Sequence, residues 1–262
     1  MSAPRPLAAV SLKAYLSHGE TLEWVGRVRA ARAGVREDVD LLVVPMATTI
    51  AAVARILDGT GVSVGAQDCS WVEVGPFTGE LPAEAVRAAG ASVVELGHAE
   101  RRGLFGESDE LVAAKVVRAV GAGLTPLLCV GEARHVSVEE AARTCLTQVE
   151  AALADVPDGH PVILAYEPVW AIGAEEPAPS AHVRPVCRAL KTWVAERDPR
   201  SRVLYGGTAG PGVFGTLYPD VDGLFLGRRG HHVSALMDVL EEMSQIVRSA
   251  SSPAVGQWGG PS

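Results

Sequence analysis

Eight short apolar runs punctuate this chain of 262 residues, and a stretch with helical spacing follows each of them. The runs are Leu7–Lys13, Leu41–Val44, Val62–Ala66, Ser92–Leu96, Pro126–Val130, Val162–Tyr166, Val203–Tyr205 and Gly223–Leu226. A strand that is always followed by a helix returns parallel to its predecessor, so the expected sheet is all parallel. Eight such units favour closure into a (β/α)8 barrel, which needs roughly 250 residues. The alternative is an open doubly wound sheet, but no Gly-x-Gly-x-x-Gly follows the first run. Helix starts are also marked. Ser137 and Glu140 are spaced as a capping box, and Ser108 precedes Asp109 and Glu110, acids placed where a helix dipole favours them. After the last run, Leu236, Val239, Leu240, Met243, Ile246 and Val247 trace one apolar face. Residues 1–248 therefore read as one domain, and the Gly, Ser and Pro-rich stretch 249–262 reads as a disordered tail.

A net charge of −8 argues against nucleic acid as a partner. The four cysteines, at 69, 129, 145 and 187, form no Cys-x-x-Cys pair and no metal-type spacing, which fits a reducing compartment without disulfides. Two early prolines and only a brief apolar run exclude a signal peptide at the N-terminus. No apolar stretch approaches the ~18 residues of a membrane span. A soluble, cytoplasmic protein is expected.

Function concentrates where Ala165-Tyr166-Glu167-Pro168-Val169-Trp170-Ala171-Ile172-Gly173 follows the sixth run. Pro168 cannot extend a sheet ladder, so the strand ends with the Glu167 carboxylate at its tip. Apolar residues held between stiff Pro168 and flexible Gly173 suit a lid that excludes water. Burial under such a lid makes a carboxylate a stronger base. A strand-end glutamate paired with an arginine or capping a helix is the plainer alternative. In Val93-Val94-Glu95-Leu96-Gly97-His98-Ala99-Glu100-Arg101-Arg102, His98 ends another strand and precedes a helical turn. A helix N-terminus favours the neutral imidazole, which can donate a hydrogen bond to a carbonyl oxygen. At the end of the first run, alternation would put Ser11 and Lys13 on one face. There Lys13 could neutralise a phosphate or a developing negative charge.

Two glycine-rich turns, Tyr205-Gly206-Gly207-Thr208-Ala209-Gly210-Pro211-Gly212 and Leu226-Gly227-Arg228-Arg229-Gly230, follow the seventh and eighth runs. Loops in these places often bind phosphate through backbone N–H groups. Between Cys69 and Glu80 lie Trp71, Val72, Val74 and Phe77, apolar side chains on a loop that something must cover. In Leu128-Cys129-Val130-Gly131-Glu132, Cys129 reads as packing and Glu132 as a residue that orders neighbouring loops. His231 and His232 read as solvated surface, since no third metal ligand accompanies them.

These segments together resemble the triosephosphate isomerase family. The stretch from Ala165 to Gly173 is similar to that family's base and closing loop, and Leu96 to Arg102 to its Leu-Gly-His-Ser-Glu-Arg-Arg, with Ala99 for Ser. The resemblance implies a TIM barrel that isomerises a short phosphorylated hydroxy-carbonyl compound, with no metal or organic cofactor. It assigns proton transfer to Glu167, a proton shuttle between oxygens to His98, and charge stabilisation to Lys13. Gly173, Thr208 and Gly227 would hold the phosphate. The loop from Cys69 to Glu80 would insert into a second copy, making a homodimer. Two departures touch the substrate: Ser11 stands where the family has Asn, and Arg228 where it has the second glycine of its eighth loop. With them the chain looks like the branch acting on four-carbon erythrulose phosphates. A glycolytic triosephosphate isomerase is the alternative, and a non-catalytic sugar-phosphate sensor is a third reading.

Overall fold

Eight parallel strands close on themselves in the computed structural model, which describes residues 4–33 and 38–251. They are β1 (Leu7–Ser11), β2 (Asp40–Val44), β3 (Ser63–Ala66), β4 (Val93–Leu96), β5 (Thr125–Val130), β6 (Ile163–Tyr166), β7 (Arg202–Tyr205) and β8 (Gly223–Leu226). Each pairs with the next in sequence, and β1 completes the ring against β8, with Leu7 opposite Gly223 and Val10 opposite Leu226. The predicted TIM barrel is therefore the observed fold, a single domain with helices outside the ring.

Alternation sorts each strand's side chains into two layers. Leu7, Ala9, Leu42, Val44, Val93, Leu127, Cys129, Ile163, Ala165, Leu204 and Phe225 fill the inside of the ring. Ala8, Val10, Leu41, Val43, Val94, Leu128 and Leu164 point outward and pack beneath the helices. Both faces are apolar, which is why the strands read as continuous apolar runs. Gly223 occupies a place where only hydrogen fits: a Cβ there would meet the Leu7 carbonyl oxygen at 1.8 Å.

The helix signals hold with two adjustments. Ser108 caps the helix Asp109–Gly121 by accepting from the Leu111 N–H, and Ser137 caps Val138–Leu153 by accepting from the Glu140 N–H. The reciprocal capping box, in which a glutamate also returns to the cap's N–H, is found at Ser17 and Glu20. The last helix, Val233–Ser251, buries Leu236, Val239, Leu240 and Met243 as its spacing indicates. It carries the first three residues of the expected tail, and the rest, 252–262, lies outside the described residues. All four cysteines are buried free thiols. Among the described residues, no helix is long and apolar enough to cross a membrane.

Candidate active site

The C-terminal rim of the ring gathers the predicted residues. Glu167 follows β6 directly, its N–H bonded to the Val130 carbonyl at 2.8 Å, and only 6% of it is exposed. Two glycines make room for it. A Cβ on Gly131 would meet the Glu167 carbonyl oxygen at 1.9 Å, and one on Gly206 would meet Glu167 Cγ at 2.5 Å. Glu167 Oε1 accepts the Gly207 N–H at 3.3 Å, whereas buried Oε2 has no hydrogen-bond partner among the described residues. That oxygen lies 3.5 Å from His98 Nε2. A buried carboxylate oxygen without a donor is costly, and here it faces the imidazole.

His98 is the cap residue of the helix Ala99–Phe105, and its Nδ1 accepts the Glu100 N–H at 3.1 Å. An accepting Nδ1 leaves the ring proton on Nε2, the nitrogen that faces Glu167. The expected helix start behind His98 is thus present, and it acts by setting the tautomer.

Lys13 reaches the site by a route that alternation does not describe. β1 ends at Ser11, and Lys13 itself has φ +47°, in the left-handed region that a strand cannot use. Strand alternation is therefore not what brings Ser11 and Lys13 together, although both line one cavity as expected. Gln67 holds the unusual turn: its Nε2 donates to the Lys13 carbonyl at 2.9 Å and to the Val44 carbonyl at 3.1 Å. The Lys13 ammonium is bonded to the Glu100 carboxylate. Burial alone would pull its pKa down; the bond and charge of Glu100, with Glu167 and Glu95 behind, leave it raised.

A cavity of about 490 Å³ opens beside these groups, lined by Lys13, Gly173, Thr208, Gly227 and Arg228 among others. This brings the expected phosphate residues together. Gly173 takes φ +75°, and the Arg228 guanidinium approaches it so closely that a Cβ there would be 3.8 Å away. The Thr208 hydroxyl lies against the carbonyls of Ala171 and Ala174, at 3.0 and 3.1 Å. It joins the seventh loop to the lid, so the groups this loop offers to the cavity are backbone ones. Arg229 Nη2 donates to the Glu175 carbonyl at 3.0 Å and ties the eighth loop to the same segment.

Behind the lid, Glu132 has the ordering role expected of it. Its carboxylate accepts from Trp170 Nε1 at 2.8 Å and from the Tyr166 hydroxyl at 3.1 Å, with His182 Nε2 at 3.1 Å. Cys129 is packing, its thiol pushed far up by burial. His231, expected as solvated surface, is half-buried: its Nε2 lies 3.3 Å from the Ser11 carbonyl and its ring meets Tyr15 edge-on. The correction follows from the turn after β8, which folds back onto the end of β1.

The sequence reading did not single out Gln67, His182 or Glu95. Glu95 lies on β4 two residues beyond inward-facing Val93, so its side chain also enters the ring, where it is 3% exposed. Ser11, two beyond inward-facing Ala9 on β1, donates its hydroxyl to Glu95 Oε2 at 2.8 Å. Burial pushes the Glu95 carboxyl up to about 7, opposed by His98, the Ser11 bond and Lys13 and assisted by Glu167.

Such a rim, with a carboxylate, an imidazole and an ammonium converging beside a glycine-lined cavity, defines a barrel enzyme of proton-transfer chemistry. The family model for triosephosphate isomerase matches residues 6–243, so the chain belongs to the triosephosphate isomerase family. It is 41% identical over 253 residues to an L-erythrulose-1-phosphate isomerase of Pectobacterium atrosepticum, covering 92% of this chain and 97% of the relative. It is 41% identical over 201 residues to a triosephosphate isomerase of Trichlorobacter lovleyi, covering 73% of this chain and 80% of the relative. The crystal structure of triosephosphate isomerase from Bartonella henselae superposes with a TM-score of 0.77 at 32% identity, covering 92% of this chain and 99% of that one.

The Glu95 environment has a consequence for stability. An unfolded chain releases this proton near 4.5, the folded one near 7. Between those values the folded protein binds the proton more strongly, so stability is lost as pH rises through the window. Measured by urea unfolding against Glu95→Gln, the wild type should lose about 2 kcal/mol between pH 5 and pH 8. Parallel pH profiles for the two proteins would show that Glu95 ionises as a solvated group.

Proposed function

We propose that this protein isomerises a short sugar phosphate, a four-carbon erythrulose phosphate, by enediol proton transfer. The observation that carries the chemistry is the unpartnered Glu167 Oε2 facing His98 Nε2 at 3.5 Å under the lid. Glu167 takes the proton from the carbon beside the carbonyl and returns it to the neighbouring carbon. His98 Nε2–H first bonds the carbonyl oxygen, then passes a proton between the two oxygens of the enediol. Lys13 balances the negative charge that develops on them. The phosphate sits in the cavity of Gly173, Thr208 and Gly227, where backbone donors and the Arg228 cation favour a dianion.

The substrate's length is supported by the relatives that bear the name L-erythrulose-1-phosphate isomerase and by Ser11. A serine leaves space that the family's asparagine would fill, enough for one more hydroxymethyl group beside the reacting carbons. Moving a carbonyl between two interior carbons uses the same single base as moving it from a chain end. The relative named triosephosphate isomerase keeps the three-carbon substrate as the second reading. A sensor without catalysis would have no use for a base held with one oxygen unpaired.

We also propose a homodimer. Trp71, Val74 and Phe77 are exposed on the loop after β3, and Leu104 and Phe105 on the helix Ala99–Phe105, apolar surface that a second copy would cover. The buried free cysteines suit a reducing cytoplasm.

Glu167→Gln should fold, keep phosphate affinity and lose about 10²- to 10⁴-fold in turnover, the usual share of a general base. Turnover near the wild-type rate would remove Glu167 from the mechanism. The ratio of kcat/KM for erythrulose 1-phosphate to that for dihydroxyacetone phosphate should exceed one in the wild type. Ser11→Asn should lower it by roughly 10-fold or more, the scale of one carbon in a pocket. A wild type that favours the triose, with the ratio unmoved by Ser11→Asn, restores the three-carbon reading. In sedimentation the wild type should run as a dimer, and Phe77→Asp should weaken it by about two orders of magnitude through a buried unpaired charge. A monomeric wild type at micromolar concentration would end the dimer proposal.

A further inference from the structure

Glu95 has no part in the proton transfers, yet it occupies a place where a charged side chain is expensive. Its nearest inward neighbours are apolar or small: Val93 on its own strand, Ala9 and Val44 on the first two strands, Leu127 and Cys129 on β5. A buried carboxyl in such surroundings persists where it has a partner or a task. Its one hydrogen bond among the described residues is the Ser11 hydroxyl on Oε2. Oε1 accepts none.

The pair lines a second cavity, of about 230 Å³, whose wall includes Lys13, Gln67, His98, Glu100 and Arg101 among others. The phosphate cavity shares Lys13 and Glu100 with it. The two chambers therefore meet at Lys13 and Glu100, with His98 in the wall of the second; one is glycine-lined and cationic, the other carries a hydroxyl and a carboxyl. A substrate with its phosphate in the first chamber and its reacting carbons beside His98 would extend its remaining end into the second. In erythrulose 1-phosphate that end is the C4 hydroxymethyl group; dihydroxyacetone phosphate, one carbon shorter, reaches less far.

We propose that Glu95 is a substrate-recognition residue, accepting a hydrogen bond from the C4 hydroxyl of a four-carbon ketose phosphate while Ser11 holds its other oxygen. The inference rests on the four-carbon reading above and names the group that would enforce it. A hydroxyl donates and a carboxylate only accepts, so the pairing is complementary and charge-assisted. A group near its midpoint at neutral pH, as burial makes Glu95, is available in the ionised form that accepts most strongly. The arrangement also rejects shorter substrates, because a site built for a hydroxyl leaves its own polar atoms unpaired when the hydroxyl is missing.

The test uses the full chain and three substrates: erythrulose 1-phosphate, its 4-deoxy analogue and dihydroxyacetone phosphate. The wild type should lose about 10- to 100-fold in kcat/KM from the parent to the 4-deoxy analogue, the worth of a hydrogen bond to a charged group. Glu95→Ala should suffer a similar loss on the parent but show little difference between parent and analogue, the signature of a shared contact. Its loss on the parent should exceed its loss on dihydroxyacetone phosphate by about 10-fold or more. Glu95→Gln keeps the shape and a carbonyl acceptor, so it should recover part of the discrimination, and it serves if Glu95→Ala does not fold. Equal losses on the four- and three-carbon substrates, or a wild type indifferent to the 4-deoxy change, would make Glu95 a structural group and overturn the inference. Those results leave the four-carbon reading standing if the wild type still prefers erythrulose 1-phosphate to the triose. A wild type that prefers the triose overturns both.

Discussion

The hydrogen bonds between β1 and β8 are what the rest of the molecule depends on. An open sheet would present Ser11 and Glu95 on a face, to be covered by a helix. Closing the ring turns that face inward and brings the ends of β1, β4, β6, β7 and β8 to one rim. Ser11 and Glu95 are 84 positions apart in sequence and share a hydrogen bond only because of it. Closure also sets a strict requirement on volume, met at the seam by Gly223 against the Leu7 carbonyl. The long-range geometry of the site is thus a property of the ring, and individual loops only refine it.

The refinement at the lid is carried by a single buried carboxylate. Glu132 gathers Tyr166, Trp170 and His182 from a strand, the lid turn and a helix. Each of these donors satisfies a group whose burial would otherwise be costly, and together they give the apolar segment from Val169 to Ile172 a defined seat. Thr208 and Arg229 hold the lid's other end through backbone carbonyls. The segment over Glu167 is therefore clasped from two sides by polar contacts, although its own side chains are mostly apolar.

Much of this was legible beforehand, for identifiable reasons. Strand ends announce themselves when a proline or glycine follows, which is why Glu167 and His98 could be placed without coordinates. Lys13 was legible as a residue but not as a geometry, because a left-handed φ on a lysine depends on Gln67, 54 positions away. The Thr208 hydroxyl bonds the lid, which a glycine-rich turn read alone gives no means to foresee. Glu95 was hidden by its strand: both faces of a parallel barrel strand are buried, so period-two patterning does not separate inward from outward. A charge inside an otherwise apolar run was the available signal, and it becomes interpretable only when Val93 and Val94 are seen to face opposite ways.

Gly131 and Gly206, which flank Glu167, bear on how such an enzyme can change over time. Any side chain at either position would occupy space that Glu167 already fills. Those two sites are closed to drift as long as the carboxylate stays where it is. The inward positions at the tops of β1 and β4 carry no such ban, since each already bears a side chain beneath an open cavity. Heritable variation in this barrel is thereby channelled: the machinery on the rim is walled in by backbone, while the layer beneath it can be exchanged residue by residue. A lineage could pass from one sugar phosphate to another by altering the floor of its pocket, without ever passing through a form that had lost Glu167.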